Sequence, residues 1–362
     1  MLEEVDVRMT RFFAGAVAVA AIGCGGLVAR AQGRGDVEVR GTTLLRDGQP
    51  WIPHGFYQIA FEVAPGNLAR ADHPFWTTAQ QNYRPDEYRF MRDVGADSVR
   101  LQISQEGADP RSPLYDKGFV DKALGAVRAA RAEGLTVMVC VQDESHVPGE
   151  KPIDLPDGGT QRVWREIAPA FANDRGVMYE LLNEPRPAPN PQNWRRWKQA
   201  MDATVRTIRQ AGAQNVVIAD GLGVGQTIDG APLLDDPEVA YASHPYALHA
   251  EGQTPAVWEA KFGRFSHRAP VIITEWISGG YYCDADTPAS TARFFQYLQN
   301  HRIGLEMGIW DWAPGGFGSA RFGFPQGRFS TFQGLSCHQP GYGSGRTLET
   351  WYRTGVPAAE PK

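Results

Sequence analysis

The sequence predicts an α/β protein: a (β/α)8 TIM barrel carrying a small N-terminal β-hairpin. Three observations carry this expectation. Short β-branched or apolar runs alternate with amphipathic stretches eight times over, the pattern of parallel strands that need helical crossovers. Two of the runs close on a glutamate, Val177-Met178-Tyr179-Glu180-Leu181-Leu182-Asn183-Glu184-Pro185 and Pro270-Val271-Ile272-Ile273-Thr274-Glu275-Trp276. Glu184 and Glu275 stand 91 residues apart, about three βα units at roughly 30 residues each.

The elements follow in order. Asp36 to Trp51 alternates and turns at Asp47-Gly48, which reads as the hairpin. Ile52 to Tyr57 is strand one. Gln58 to Tyr83 has no clear period and is read as a long first loop, whose His73-Pro74-Phe75-Trp76 can offer aromatic contacts to a substrate. Pro85 to Val94 is the first helix, with proline in its first turn. Ser98 to Ile103 is strand two, and Phe119 to Glu133 is a helix with Phe119, Ala123, Leu124, Val127 and Ala130 on one face, ended by Gly134. Leu135 to Val141 is strand three, nearly all apolar, as a strand covered on both sides requires. The polar cluster Gln142-Asp143-Glu144-Ser145-His146 follows it.

Gln161 to Ala172 is a helix, Val177 to Leu182 strand four, and the stretch after Pro191 keeps a 3-4 spacing through Trp194, Trp197, Met201, Val205 and Ile208. Val216 to Ala219 is strand five. Val239 to Ser243 is strand six, ending in His244-Pro245-Tyr246 before a helix around Ala256 to Phe265. Val271 to Thr274 is strand seven, Ala289 to Asn300 a helix, Gly304 to Ile309 strand eight, and Thr347 to Arg353 the last helix. Ala313 to Gly345, rich in Gly and Phe, lacks a period and reads as a binding loop or as unassigned chain.

Composition narrows the function. With 362 residues, 42% hydrophobic, ten Trp and seventeen Phe, one large core is affordable, and α/β barrels reach this length as one domain. A net charge of −5 leaves no basic surface for nucleic acid. Residues 1–31 read as a signal peptide and 32–362 as a single catalytic domain: Arg11 precedes an apolar run from Phe12 to Val28, and Ala29-Arg30-Ala31 has the A-x-A form. The acidic opening (Glu3, Glu4, Asp6) suits such a segment poorly and points to Met9 as the start. The reading is therefore a secreted or periplasmic protein, with an uncleaved anchor or a lipid attachment at Ile22-Gly23-Cys24 as the alternatives. Cys140 sits in an apolar strand, and Cys283 and Cys337 fall in late loops where they can pair. No C-x-x-C and no His cluster at ligand spacing occurs, so neither a protein-built metal site nor a cofactor is expected. No exposed heptad suggests an oligomer, and a monomer is expected.

Two carboxyl groups at one barrel mouth suit glycosidic cleavage, in which an acid protonates the leaving oxygen and a carboxylate meets the oxocarbenium-like carbon. Neighbouring strand ends are apt for it. Arg100 can hold Glu275 ionised, His244 and Tyr246 can donate hydrogen bonds, Asn183 can bind a sugar hydroxyl, and Trp310 can floor the sugar site.

Leu182-Asn183-Glu184-Pro185, His244-Pro245-Tyr246 and Ile273-Thr274-Glu275-Trp276, in this order and spacing, resemble the cellulase-type glycoside hydrolase family 5 of retaining barrels, over about His54 to Trp312. The resemblance implies double displacement with retention. It implies Glu184 as acid/base, Glu275 as nucleophile, Asn183 as the contact to the 2-hydroxyl, Arg100 and Tyr246 as partners of the nucleophile, His244 as a further donor and Trp310 as stacking platform. Trp312 competes for the platform. The family places a histidine directly after strand three, whereas His146 comes slightly late, and Trp276-Ile277 stands where an aromatic and Gly are usual. The substrate implied is a β-1,4-glucan; a β-mannan, an exo-acting mode, and a non-catalytic carbohydrate-binding barrel are the alternatives.

Overall fold

A computed structural model of the chain describes residues 35–247, 252–276, 288–311 and 345–357. The proposed signal segment, Cys283, Trp312, Cys337 and residues 313–344 lie outside the described residues. The chain divides into residues 1–32 and 33–362, and every described residue belongs to the latter.

Asp47 and Gly48 both adopt positive φ, 52° and 74°, the two left-handed central residues of a tight hairpin turn. The expected hairpin gains a strand from a second turn at Gly41 (φ 62°), giving an antiparallel sheet of β1 (Val37–Arg40), β2 (Thr43–Arg46) and β3 (Gln49–Trp51). Its apolar face has a job: Val37, Leu44 and Trp51 cluster with Met138, Met178, Val216, Ile218, Ala240, Ala242 and Ile272, capping the barrel interior.

The barrel closes in sequence order from β4 (His54–Phe61) through β5 (Ser98–Ser104), β6 (Thr136–Gln142), β7 (Val177–Glu180), β8 (Val217–Asp220), β9 (Val239–Ala242), β10 (Val271–Trp276) and β11 (Gly304–Met307), all neighbours parallel. These are the eight expected strands. Alternation sorts each one. Val99, Leu101 and Ile103, Val137, Val139 and Val141, and Val177 and Tyr179 join the outer core under the helices. The residues between them, Arg100, Met138, Cys140 and Glu180, face inward. This two-residue period carries charge into an otherwise apolar interior.

Outside lie α1 (Phe75–Asn82), α2 (Glu87–Asp93), α3 (Gln105–Ala108), α4 (Lys117–Ala132), α5 (Gly158–Ile167), α6 (Pro191–Gln210), α7 (Pro255–Trp258), α8 (Arg264–Ser266), α9 (Pro288–His301) and α10 (Gly345–Thr354). Local chemistry starts several of them. Asp157 caps α5 in a capping box with Thr160, Asp116 caps α4, and Asn190 with Pro191 opens α6.

Two expectations need correction. Gln58 to Tyr83 is not one loop, since β4 runs on to Phe61 and α1 occupies Phe75–Asn82. Eight residues show too little periodicity to be recognised, and tertiary burial of Trp76 and Ala79 beside Tyr57, Ile59, Val63 and Val147 organises the helix. The alternation of strands with helices also fails once. Residues 221–238, between β8 and β9, hold no helix; three successive left-handed residues, Gly223, Val224 and Gly225 (φ 67°, 60° and 69°), and a bridge between Leu222 and Thr227 fold them instead.

Candidate active site

Glu184 and Glu275 reach the barrel mouth by two different backbone devices. Glu184 sits in the left-handed region at φ 50°, consistent with Pro185 disfavouring the right-handed helical region before it, and its N–H is tied to Asp220 Oδ2 at 3.1 Å. In β10, strict alternation would turn Glu275 outward, because Ile273 points out and Thr274 in. A shift in the pairing of β10 with β11 between Ile273 and Trp276 breaks the alternation, and Glu275 joins the mouth while Trp276 packs on Phe294 and Phe295.

Arg100 is the hub beneath them. It is fully buried, grips Glu180 through Nε (2.7 Å) and Nη2 (2.9 Å), donates Nη1 to Glu275 Oε2 at 2.9 Å, and reaches Asn183 Oδ1 at 2.6 Å. Tyr246 donates its hydroxyl to the other Glu275 oxygen at 2.9 Å and lies 3.2 Å from the Tyr57 hydroxyl. Burial opposes the charge on Glu180, but the Arg100 guanidinium outweighs it and holds that carboxyl below its usual range. Asp220 moves the other way, pushed well up by burial and by the charge of Glu180.

The hydrogen bonds then fix a direction. Glu180, ionised, only accepts, so Thr274 donates Oγ1–H to it at 3.0 Å. Thr274 Oγ1 therefore accepts from His244 Nε2–H at 2.9 Å. His244 is fully buried, and burial lowers its pKa to about 4, leaving it neutral. Its Nδ1 then carries a lone pair, and the 3.1 Å contact to Glu184 Oε1 requires the proton to sit on Glu184. Burial independently raises Glu184 to about 7, against the opposing pull of Arg100 and His146. A carboxylate oxygen of Glu184, one of Glu275 and a His244 ring nitrogen lie within 4.8 Å of one another.

The same three groups, and likewise Glu180, Asp220 and His244, have the donor set for a metal ion. A dication in either place would have to compete with Arg100, which already occupies oxygens of both Glu180 and Glu275.

Around the pair opens a cleft of about 980 Å³. Its lining includes Tyr57, Glu62, Trp76, His146 and Ile309 from β4 and the segments after β4, β6 and β11, Val224, Gln226, Val257 and Lys261 from the segments after β8 and β9, and Asn183, Tyr246 and both glutamates. His146 joins this site: its Nε2 lies 3.2 Å from Glu62 and its ring 4.3 Å from Trp76. Burial disfavours its charge, yet the hydrogen bond and charge of Glu62, with Asp72, raise His146 to about 9. The rest of that polar cluster is structural. Glu144 accepts from Ala64 N–H, Asn67 and Ser104, and Asp143 from Ser145 and Ile153.

Trp310 is placed elsewhere. It is 1% exposed, packs on Phe56, and bonds Glu87 of α2 through Nε1 at 3.1 Å, while its neighbour Ile309 lines the cleft. The described aromatic neighbours of the pair are instead Tyr57, Trp76 and Tyr246. Cys140 is buried and free, 3.2 Å from Arg100 Nη2. Glu180, Thr274, Tyr57, Glu62 and Lys261 escaped the sequence reading. For Glu180 a signal existed, since it is an acid at an inward position of an apolar strand.

Residues 61–316 match the sequence model of Cellulase (glycosyl hydrolase family 5). Endoglucanase E-5 of Thermobifida fusca is 29% identical over 226 residues, covering 59% of this chain and 45% of that protein. Endoglucanase A of Ruminococcus albus is 24% identical over 215 residues, covering 54% and 59%. The chain thus spans about half the length of the curated relatives it matches. In fold it is similar to the catalytic domain of Thermobifida fusca endoglucanase Cel5A in complex with cellotetraose, with a TM-score of 0.62 at 20% identity over 89% of this chain and 98% of that one.

Proposed function

The chain belongs to the cellulase family, glycosyl hydrolase family 5, and from that premise we propose that it is a retaining β-glycoside hydrolase cutting within β-1,4-linked glucan. The observation that carries the reading is the pairing of Glu184, raised to about 7 and hydrogen-bonded as an acid, with Glu275, ion-paired to Arg100, their nearest oxygens within 4.8 Å. Retaining enzymes hold their two carboxyls about 5–5.5 Å apart, inverting ones about 6.5–9.5 Å.

In this reading Glu184 gives its proton to the glycosidic oxygen as Glu275 attacks the anomeric carbon. Arg100 and Tyr246 hold the attacking carboxylate in place, and Asn183, its Oδ1 occupied by Arg100, has its amide N–H groups available for the 2-hydroxyl. Glu184, now ionised, then takes a proton from the water that hydrolyses the glycosyl ester. Two endoglucanase relatives support the choice of glucan. Export rests on the Arg11 to Ala31 segment, and the N-terminal sequence of the exported protein, expected at Gln32, tests it.

The catalytic reading is tested by assaying the wild type, Glu184→Ala and Glu275→Ala on aryl β-glycosides and on soluble β-glucans and β-mannans. Each substitution is expected to cost about 10²–10⁴-fold or more in kcat. Azide should rescue Glu275→Ala with an inverted glycosyl azide. An active Glu275→Ala enzyme would remove the nucleophile assignment.

A further inference from the structure

We propose that the end of the cleft walled by the loop after β8 and the helix after β9 is an anion subsite, where Lys261 receives the carboxylate of a uronic acid unit on the leaving-group side of the cut. This rests on the glycosidase reading of Glu184 and Glu275.

Lys261 lies in a π-turn, Glu259–Gly263, inserted between α7 and α8. Such turns release carbonyls from the helical ladder and recur at functional sites. Here the Lys261 carbonyl takes three donors from the facing loop: Ile228 N–H (3.0 Å), Asp229 N–H (2.9 Å) and Thr227 Oγ1 (2.9 Å). The backbone beneath the ammonium is therefore pinned. Its side chain lines the cleft and is held by a hydrogen bond from Nζ to Gln226 Oε1 at 2.6 Å.

An ammonium has three N–H donors, and Gln226 uses one. No carboxylate of the described residues lies within 4 Å of Lys261 Nζ. The other cations beside the catalytic pair face carboxylates: Arg100 meets Glu180 and Glu275, and His146 meets Glu62. Burial lowers the Lys261 pKa with no opposing charge. A half-buried cation with no counterion among the described residues is costly to keep unless an anion arrives with the substrate. A neutral sugar hydroxyl would be served as well by an amide such as Gln226 alone.

Position assigns the leaving-group side. The loop that carries Gln226 is stitched to the residue after the acid/base, Val224 N–H donating to Pro185 O at 3.0 Å. The proton of Glu184 goes to the departing sugar, so this wall borders that sugar. Val224, 40% exposed in the left-handed region, adds an apolar side chain to the lining of the same cleft.

The test compares cello-oligosaccharides with the same oligosaccharides oxidised at C6 to glucuronates, using the wild type and Lys261→Met. Titration calorimetry gives Kd and hydrolysis gives kcat/KM, with thermal unfolding as the check on folding. The wild type should bind the oxidised oligosaccharide about ten-fold more tightly than the neutral one, a margin that shrinks with added salt. In Lys261→Met, the ratio of oxidised to neutral affinity should fall by about ten-fold. Equal losses on both ligands, or no preference in the wild type, would overturn the subsite. Preferential binding of the oxidised ligand without cleavage of either would leave the subsite standing and refute the glycosidase reading instead.

Discussion

At Glu184 two independent influences favour the same protonation state. Burial raises the carboxyl to about 7, and the Glu180–Thr274–His244 chain presents it with a lone pair rather than a proton. In the proposed mechanism Glu184 works protonated, so kcat/KM should fall as pH rises through about 7. Thr274→Val removes the group that keeps the proton on His244 Nε2. The ring is then free to carry it on Nδ1 and donate to an ionised Glu184, so the basic limb should move down by up to about one pH unit, the equivalent of one net hydrogen bond. A limb that stays put or moves up, in a variant of unchanged Tm, would remove the chain from the mechanism. Asn183, His244 and Tyr246 were legible as site candidates because each follows the end of a recognisable strand, whereas Arg100, also expected at a strand end, is the third residue of β5 and reaches Glu275 from below. Trp310 also follows a strand end, and its indole packs outward all the same, on Phe56 and Glu87. Strand-end position identifies the candidate, and the last φ/ψ pair decides where it points.

Among the elements, the loop after β8 takes the place of a crossover helix and does more for the site than a helix would. His244 N–H donates to Gly225 O at 2.7 Å, and a Cβ on Gly225 would stand 2.8 Å from His244 Nδ1, the atom that meets Glu184. Gly225→Ala should therefore lower kcat by about ten-fold or more, the scale of a displaced acid/base contact. It should also cost about 1–2 kcal/mol for a left-handed alanine at φ 69°. Gly212→Ala separates the two effects. That glycine has φ 90° with nothing near its added Cβ, so stability should fall while kcat holds, as urea unfolding and steady-state assays would reveal. The irregular pairing in β10 is the second such device, since it turns Glu275 into the mouth. Neither irregularity was visible beforehand, because bulges and left-handed turns leave no periodic trace in the chain.

For the whole molecule the critical seam is the closure of β11 onto β4. Tyr352 of α10 holds it from outside, its hydroxyl 2.8 Å from Gly55 O and 3.1 Å from Leu305 O, one carbonyl from each strand. Trp351 packs beside it on His54 and Phe295. Tyr352→Phe leaves buried carbonyls without this donor and should destabilise the barrel by about 1–3 kcal/mol. The loss should register in denaturant unfolding, with kcat unchanged at 25 °C. A loss of activity without loss of stability would show that the seam transmits to the site. Among the described residues no helix is long and apolar enough to cross a membrane.

The sequence by itself determined the barrel, its eight strands, and the places of Glu184 and Glu275, because β-branched and apolar runs, the amphipathic stretches between them and a strand-end proline are local properties of the chain. It also made Asn183, His244 and Tyr246 candidates by their places at strand ends, and Arg100 by its place in strand two. Only the tertiary structure decided how they connect. Arg100 meets Glu180 across 80 residues and Glu275 across 175, and no local pattern encodes such a contact. The same holds for the direction of Trp310, the neutral His244 that keeps a proton on Glu184, and the Lys261 ammonium held by Gln226 in the cleft wall. Each depends on which charges and walls closure of the barrel brings together, and burial then sets how strongly those charges act.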